Sequence, residues 1–428
     1  MIQKKHLPIC LGVFAAGILV LLLTFGVLEN WSPMGKSYWF DHFTLPRCGL
    51  AIRNQTNLFT SSQDYQHYGY HAITWESQPT LCLILGTPLS FLSPMASLLT
   101  ATTIYVLIQI FLIVLFGRHL FREKVPEVKD YIFFFFAGFF FPWYLMLVLG
   151  QYHAISVLAV GLVLYSCDNN KKYKTESLGF ILSAISKPVL APLSILLLIQ
   201  RKWKIIFIIS FFCLLAYLPW LLLYFDGNQE LRFGLNENYI NAIKRNSSFA
   251  NFTVPNWNQE MGVAKVIEFF GWAEHSFNIR VTLFSIICAV VSVLLLLKKR
   301  VLASYSVMVL WFFLYYSRGH EYHLTLYLPI FLALYCKSPN KYRSWPFVML
   351  FVFTAIPTVF PVYRYFNLLP DPHSAWLTQM YGANEIVFYL YLFHKPTIPF
   401  LLILFIIYKE YSGEKAKGFF EVKKKTVL

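Results

Sequence analysis

Charge is scarce in this chain: Asp, Glu, Lys and Arg make up 13% of its 428 residues, against 57% apolar and 19% aromatic. That balance excludes a soluble globular protein of ordinary composition, in which about a quarter of residues are charged. Acids are scarcer than bases, and the net charge is +15. In a soluble chain such an excess suggests nucleic acid. Here the bases stand in short clusters between apolar runs, as cytoplasmic loops of membrane proteins do, so no nucleic-acid partner is expected. Also missing are a C-x-x-C pair, a nucleotide-binding glycine loop, a soluble domain, a long disordered linker and a D-x-D in the first polar loop. The missing glycine loop, soluble domain and linker argue against ATP or a soluble nucleotide sugar as direct co-substrate, while the missing D-x-D bears on metal dependence alone. The seven cysteines fall mostly in apolar runs and are expected to act as small hydrophobes. No metal site and no cofactor are assigned.

What is there in quantity is apolar sequence, with a mean hydropathy of +0.54. Ten runs stand out, at approximately 8–28, 97–117, 131–149, 152–167, 204–225, 281–297, 301–316, 323–336, 345–361 and 393–408. The first approaches the ~20 residues of a full span and lacks an A-x-A cleavage site, so it reads as a retained helix. Basic clusters at Lys4–Lys5, Arg118–Lys129, Lys171–Lys174, Arg201–Lys204, Lys298–Arg300, Lys337–Arg343 and Lys409–Lys425 mark the cytoplasmic side. The expected fold is therefore all-α: one polytopic membrane domain over 1–428, with about ten full spans. Both termini lie in the cytoplasm. External loops fall near 29–95, 226–280 and 362–392, and a basic tail near 409–428.

Residues 177–200 lie between two clusters on the same side, so they cross an even number of times. A re-entrant helix pair, Ser177–Ser186 and Val189–Gln200, satisfies that condition. Each half of 10 to 12 residues reaches roughly 15 to 18 Å, about half of a ~30 Å hydrocarbon core. Lys187-Pro188 then forms the turn inside the membrane, where proline disfavours helix in the preceding residue and a lysine needs a partner or a polar cavity.

The same topology gathers the chemically capable side chains on the external face. Asp41, with His42, lies in an aromatic stretch past the first helix. It reads either as a solvated interfacial acid or as a general base with a raised pKa. Trp75 and Glu76 share its loop, Trp75 as a sugar-lining aromatic or an interfacial anchor. Gln151 and His153, after Gly150, either cap a hairpin or face a site. Arg318, His320, Glu321 and His323 form a compact group between two runs, for which a structural Glu-His pair is the competing reading. The spacing of H-E-x-H lacks the i, i+4 pair of a zinc-binding helix. Sequons begin at Asn54, Asn246 and Asn251, all on the external side.

In order along the chain come an aspartate after the first helix, Gly150-Gln151-x-His153, Ser183-Ala184-Ile185-Ser186-Lys187-Pro188 and Arg201-Lys202-Trp203-Lys204. This series resembles glycosyltransferase family 87, the polyprenyl-phosphate-mannose-dependent mannosyltransferases of GT-C type. The family more often has Asn where His153 stands, and Tyr-x-Pro-Pro where this chain reads Trp75 to Pro79. The resemblance implies a cell-membrane hexosyltransferase that moves a sugar, with mannose expected, from a polyprenyl phosphate carrier to a lipid or glycan acceptor with inversion. It implies Asp41 as general base, His323 at the donor phosphate, and Lys187 or Arg318 against the departing phosphate. Gln151 and His153 would orient groups in the cavity; His42, Trp75, Glu76, His320 and Glu321 complete the expected substrate-binding set. A secondary transporter or lipid-carrier flippase is the alternative, since transporters also place polar groups at a broken helix.

Overall fold

A computed structural model describes residues 4–24, 44–55, 79–149, 151–225, 230–241, 263, 266–267, 270–315, 321–357 and 393–412. The described chain is helical almost throughout. Its helices are α1 Leu7–Thr24, α2 Thr44–Arg53, α3 Pro79–Leu89, α4 Pro94–Leu120, α5 Val128–Gly138, α6 Phe141–Leu149 and α7 Ala154–Ser166. There follow α8 Tyr173–Ile185, α9 Leu193–Ile199, α10 Trp203–Leu222, α11 Ile279–Leu297, α12 Val301–Tyr315, α13 Tyr327–Lys337, α14 Trp345–Ala355 and α15 over 393–412.

Every apolar run read from the sequence contains a helix, but the helices are of two kinds. Among the described residues five segments are long and apolar enough to cross a membrane: Lys4–Leu21, Pro94–Leu120, Val128–Leu147, Trp203–Leu222 and Ile279–Leu297. Shorter apolar helices, among them α7, α12 and α14, are of 10 to 17 residues, roughly 15 to 25 Å at 1.5 Å per residue. α7, α12 and α13 are largely enclosed, whereas α14 keeps Trp345 and Met349 on the surface. Each residue from Tyr327 to Cys336 in α13 is buried, the mark of a helix apolar on all sides and covered on all sides. α10 is the opposite case, with Phe207, Phe211, Leu214 and Leu218 on its surface, where lipid is their natural solvent.

The run 131–149, expected as one helix, is broken. Pro142 has no N–H to donate to Gly138, and its ring would clash with that carbonyl, so α5 ends at Gly138 and α6 starts at Phe141. Carbonyl groups freed inside a membrane must find other donors. Gln109, from the middle of α4, donates Nε2 to both Ala137 O and Gly138 O at 2.9 Å. Gly138 also lets α1 pack closely, since a Cβ there would overlap the Gly12 carbonyl oxygen; small residues serve helix association in lipid in this way.

Ion pairs collect the basic clusters at one end of the bundle. Arg343 binds buried Asp130 through Nε at 2.9 Å and Nη2 at 2.5 Å, and Tyr335 donates to the same carboxylate at 2.6 Å. The Asp130 hydrogen bond, ahead of the opposing effect of burial, holds Arg343 above the usual guanidinium range. Lys337 reaches Asp168 at 2.7 Å and the carbonyls of Leu164 and Tyr165. Lys341 and Tyr342 both donate to Glu410. Lys202 donates to both Glu176 oxygens at 2.9 Å and to Cys167 O. This last knot has a topological meaning: the chain that leaves the basic end at Glu176 has returned to it by Lys202. The excursion differs in its halves from the symmetric pair expected. α8 has 13 residues, roughly 20 Å, whereas Pro188 and Pro192 delay the return helix α9 to Leu193.

Two local features were not anticipated. Cys48 and Cys82, expected as small hydrophobes, form a disulfide with a Cα–Cα separation of 5.5 Å, joining α2 to α3. The two helices meet closely at Gly49 and Gly86, where a Cβ on either would overlap the other segment's backbone. Past α10, Leu223–Phe225 (β1) pairs antiparallel with Leu231–Phe233 (β2). This ribbon supplies backbone partners where the helix has ended beyond Pro219.

Candidate active site

Opposite the basic end, three polar breaks of the sequence converge. Gln151 follows α6 and is held by its backbone N–H on Met146 O at 3.0 Å. His153 stands at the head of α7, fully buried. His323 comes from a 3-10 turn, Glu321–Leu326, that leads into α13 and packs against both α6 and α7. The two imidazole rings meet edge to face with centroids 5.1 Å apart, and the Phe312 ring lies 6.1 Å from His323. A histidine pair so placed has an apolar floor and little water, which strengthens any electrostatic interaction made there.

Lys187 reaches the same level by a different route. α7 and α8 pack as a hairpin in which the hydroxyls of Ser156 and Ser186 meet at 3.0 Å. Ser183 then fixes the turn: it donates to Lys187 O at 3.0 Å and accepts from Leu190 N at 3.1 Å. The half-buried Lys187 points its Nζ toward the Tyr152 ring, 5.6 Å from the centroid, and lies near enough to His153 for its charge to act on the imidazole. Cation–π contact is one of few ways to hold an ammonium in an apolar setting.

α2 and α3 cover this end. Leu45 of α2, Leu81 of α3 and Ile155 of α7 form one buried cluster, with Tyr152 and Leu182 against it. Thr80 of α3 donates to Ala216 O and accepts from Trp220 Nε1 at 3.1 Å, tying the cover to α10. Asp41, His42, Trp75, Glu76, Arg318 and His320 lie outside the described residues, and of Glu321 only the backbone is described. In sequence, Asp41 precedes Thr44 by three residues and Glu76 precedes Pro79 by three, so both acids adjoin the two helices of the cover.

The structure also draws attention to residues that the sequence reading passed over. Arg47, on α2, is 2% exposed, a buried cation one helical turn from the start of that helix. Arg280, 3% exposed, donates Nη1 to Tyr315 O at 2.8 Å and so holds the last turn of α12. Among the described residues, Trp143 Nε1 and Tyr327 Oη are buried donors without a hydrogen-bond partner, on the two segments that meet at His323. An available signal was the type of residue: Arg, Trp and Tyr carry polar tips that seek partners when buried. Burial itself could not be read from hydropathy. Among the described residues no three His, Cys, Asp or Glu side chains are grouped as metal ligands.

No curated protein and no solved structure gave a match to this chain. The model of glycosyltransferase family 87 matches residues 78–323, a stretch that includes Gln151, His153, Lys187 and His323 and begins just after Glu76. That stretch is more than half of the chain, and the protein accordingly belongs to glycosyltransferase family 87 and is a membrane glycosyltransferase.

Proposed function

We propose that the protein transfers a sugar, with mannose expected, from a polyprenyl phosphate carrier to a lipid or glycan acceptor on the non-cytoplasmic face of the cell membrane, with inversion. The observation that carries this reading is the meeting of His153, His323 and Lys187 at the end opposite the basic clusters, inside the family-matched segment. The Cys48–Cys82 bond supports the sidedness, because disulfides persist in oxidising compartments. The basic clusters and both termini then face the cytoplasm.

In the proposed reaction the Asp41 carboxylate takes the proton of the acceptor hydroxyl. The freed oxygen pair attacks the anomeric carbon from the face opposite the phosphate. The bond from that carbon to the phosphate oxygen breaks, and its electron pair leaves with the polyprenyl phosphate. A phosphate is a good leaving group, so one base suffices and no paired acid is needed, unlike glycoside hydrolysis. Lys187 or Arg318 offsets charge growing on the departing phosphate. His323 lines the donor phosphate site, Gln151 and His153 orient the bound groups, and His42, Trp75, Glu76, His320 and Glu321 contribute to substrate binding.

The test is transfer of a labelled sugar from polyprenyl phosphate to membrane acceptors by the purified protein. Stereochemically defined product is expected. A transporter or flippase, which the Lys187-Pro188 break would also suit, predicts movement of the carrier across the bilayer and no transfer with any lipid-linked sugar.

A further inference from the structure

Near the start of α1, far from the histidine pair, a groove of about 820 Å3 opens between that helix and the end of α4. Its polar rim carries Lys5, Arg118 and Arg122, and its floor is Ile9, Val13 and Phe14. A second hollow of about 470 Å3 continues from Lys5 and Arg122 to Lys4 and Lys124, with Glu123 as its one carboxylate. The groove has no carboxylate in its lining.

What distinguishes the groove at this end is that its cations share one hollow. Lys129, Lys202, Lys337, Lys341 and Arg343 each meet a carboxylate there. Among the described residues Lys5, Arg118 and Arg122 have no ion pair, although the three share one groove. Lys4 and Lys5 also stand where α1 begins, with no acidic residue in its first turn. A helix N-terminus favours an anion and is penalised by cations. Arg118 stands in the last turn of α4, whose carbonyl end offers it only partial negative charge, so the groove gathers three cations and no carboxylate over an apolar floor.

We propose that this groove binds an anionic phospholipid of the adjoining leaflet, its phosphate between Lys5, Arg118 and Arg122 and its acyl chain along Ile9, Val13 and Phe14. Charge complementarity selects the headgroup, and the apolar floor selects a lipid over a free anion. The site is separate from the sugar-transfer site and does not depend on it.

The test uses the full chain in nanodiscs of equal parts phosphatidylcholine and phosphatidylglycerol, followed by mass spectrometry of the protein with its retained lipids. The wild type is expected to retain phosphatidylglycerol in preference. Lys5→Gln, Arg118→Gln and Arg122→Gln together should abolish that preference and weaken binding on the order of a hundredfold, at roughly fivefold per cation. Val13→Trp leaves every cation in place and fills the floor, so it should displace the same lipid even if the triple variant folds poorly. Lys171→Gln, Lys174→Gln and Lys204→Gln together remove equal charge at exposed positions outside the groove and should leave retention unchanged. Retention by the triple variant or by Val13→Trp overturns the proposal, as does loss in the control. Inorganic phosphate alone should not stabilise the protein against heating; stabilisation equal to that by phosphatidylglycerol would show a free-anion site and overturn the lipid.

Discussion

Ser156 and Ser186 share a hydrogen bond at 3.0 Å, and this contact, with the turn held by Ser183, sets the height of Lys187. It ties the head of α7 to the end of α8, so the lysine in the next position arrives level with His153. The site is thus built by a helical hairpin whose feet are held elsewhere, by Lys202 and Glu176 at the basic end.

Removing the charge that this hairpin positions should weaken donor binding. Lys187→Gln and His323→Ala are each expected to raise the dissociation constant for polyprenyl-phosphate sugar about 10- to 100-fold, the effect of a lost charge-assisted hydrogen bond of roughly 1.5 to 3 kcal/mol. Expression and melting temperature serve as controls. Normal donor binding by both folded variants would take these residues out of the donor site.

Asp41→Asn keeps the shape of the side chain and its hydrogen bonding but removes the base. Transfer should fall 10²- to 10⁴-fold, roughly 3 to 5 kcal/mol of barrier, while donor binding is spared. Turnover near that of the wild type would remove Asp41 from the mechanism and direct attention to Glu76.

The two ends of the bundle should label from opposite sides. Single cysteines introduced at Lys174 and Arg201, in a background without native exposed thiols, should react with a membrane-impermeant reagent only from the cytoplasm. One introduced at Leu235, exposed just past β2, should react only from outside. Labelling of position 201 from outside would contradict the returning excursion of α8 and α9.

The disulfide should matter for stability as well as for sidedness. It closes a sequence separation of 34 residues, and Cys48→Ser is expected to cost about 2 to 4 kcal/mol, seen as a lower melting temperature. The same loss should follow from reductant added to the wild type and should not add to that of the variant. An additive effect would mean that reductant acts elsewhere.

Asp130 and Arg343 should prove structural. Asp130→Ala takes the shared carboxylate from Arg343 and Tyr335, leaving Arg343 its second partner Glu127 at 2.9 Å, and is expected to destabilise the protein by about 3 kcal/mol. Changing both residues to apolar ones of similar size should recover much of that loss. Transfer per folded molecule should not change, since the pair lies at the end remote from the histidines.

The sequence by itself determined the class of protein, the apolar runs and the polar breaks at Gln151, Lys187 and His323. These properties are local: hydropathy is summed over neighbours, and proline acts on its own turn. Pro142 was equally local, but a count of apolar residues passes over a missing N–H, so the break between α5 and α6 went unread. Only the tertiary structure decided what depends on distant partners. It paired Cys48 with Cys82, sent Gln109 to the free carbonyls of Ala137 and Gly138, buried Arg47, and brought His153 against His323. It also decided which helices keep an apolar face outward, as α10 does, and which are enclosed, as α13 is, because in lipid the apolar face of a helix is satisfied by tails and by neighbours alike, and close packing alone tells them apart.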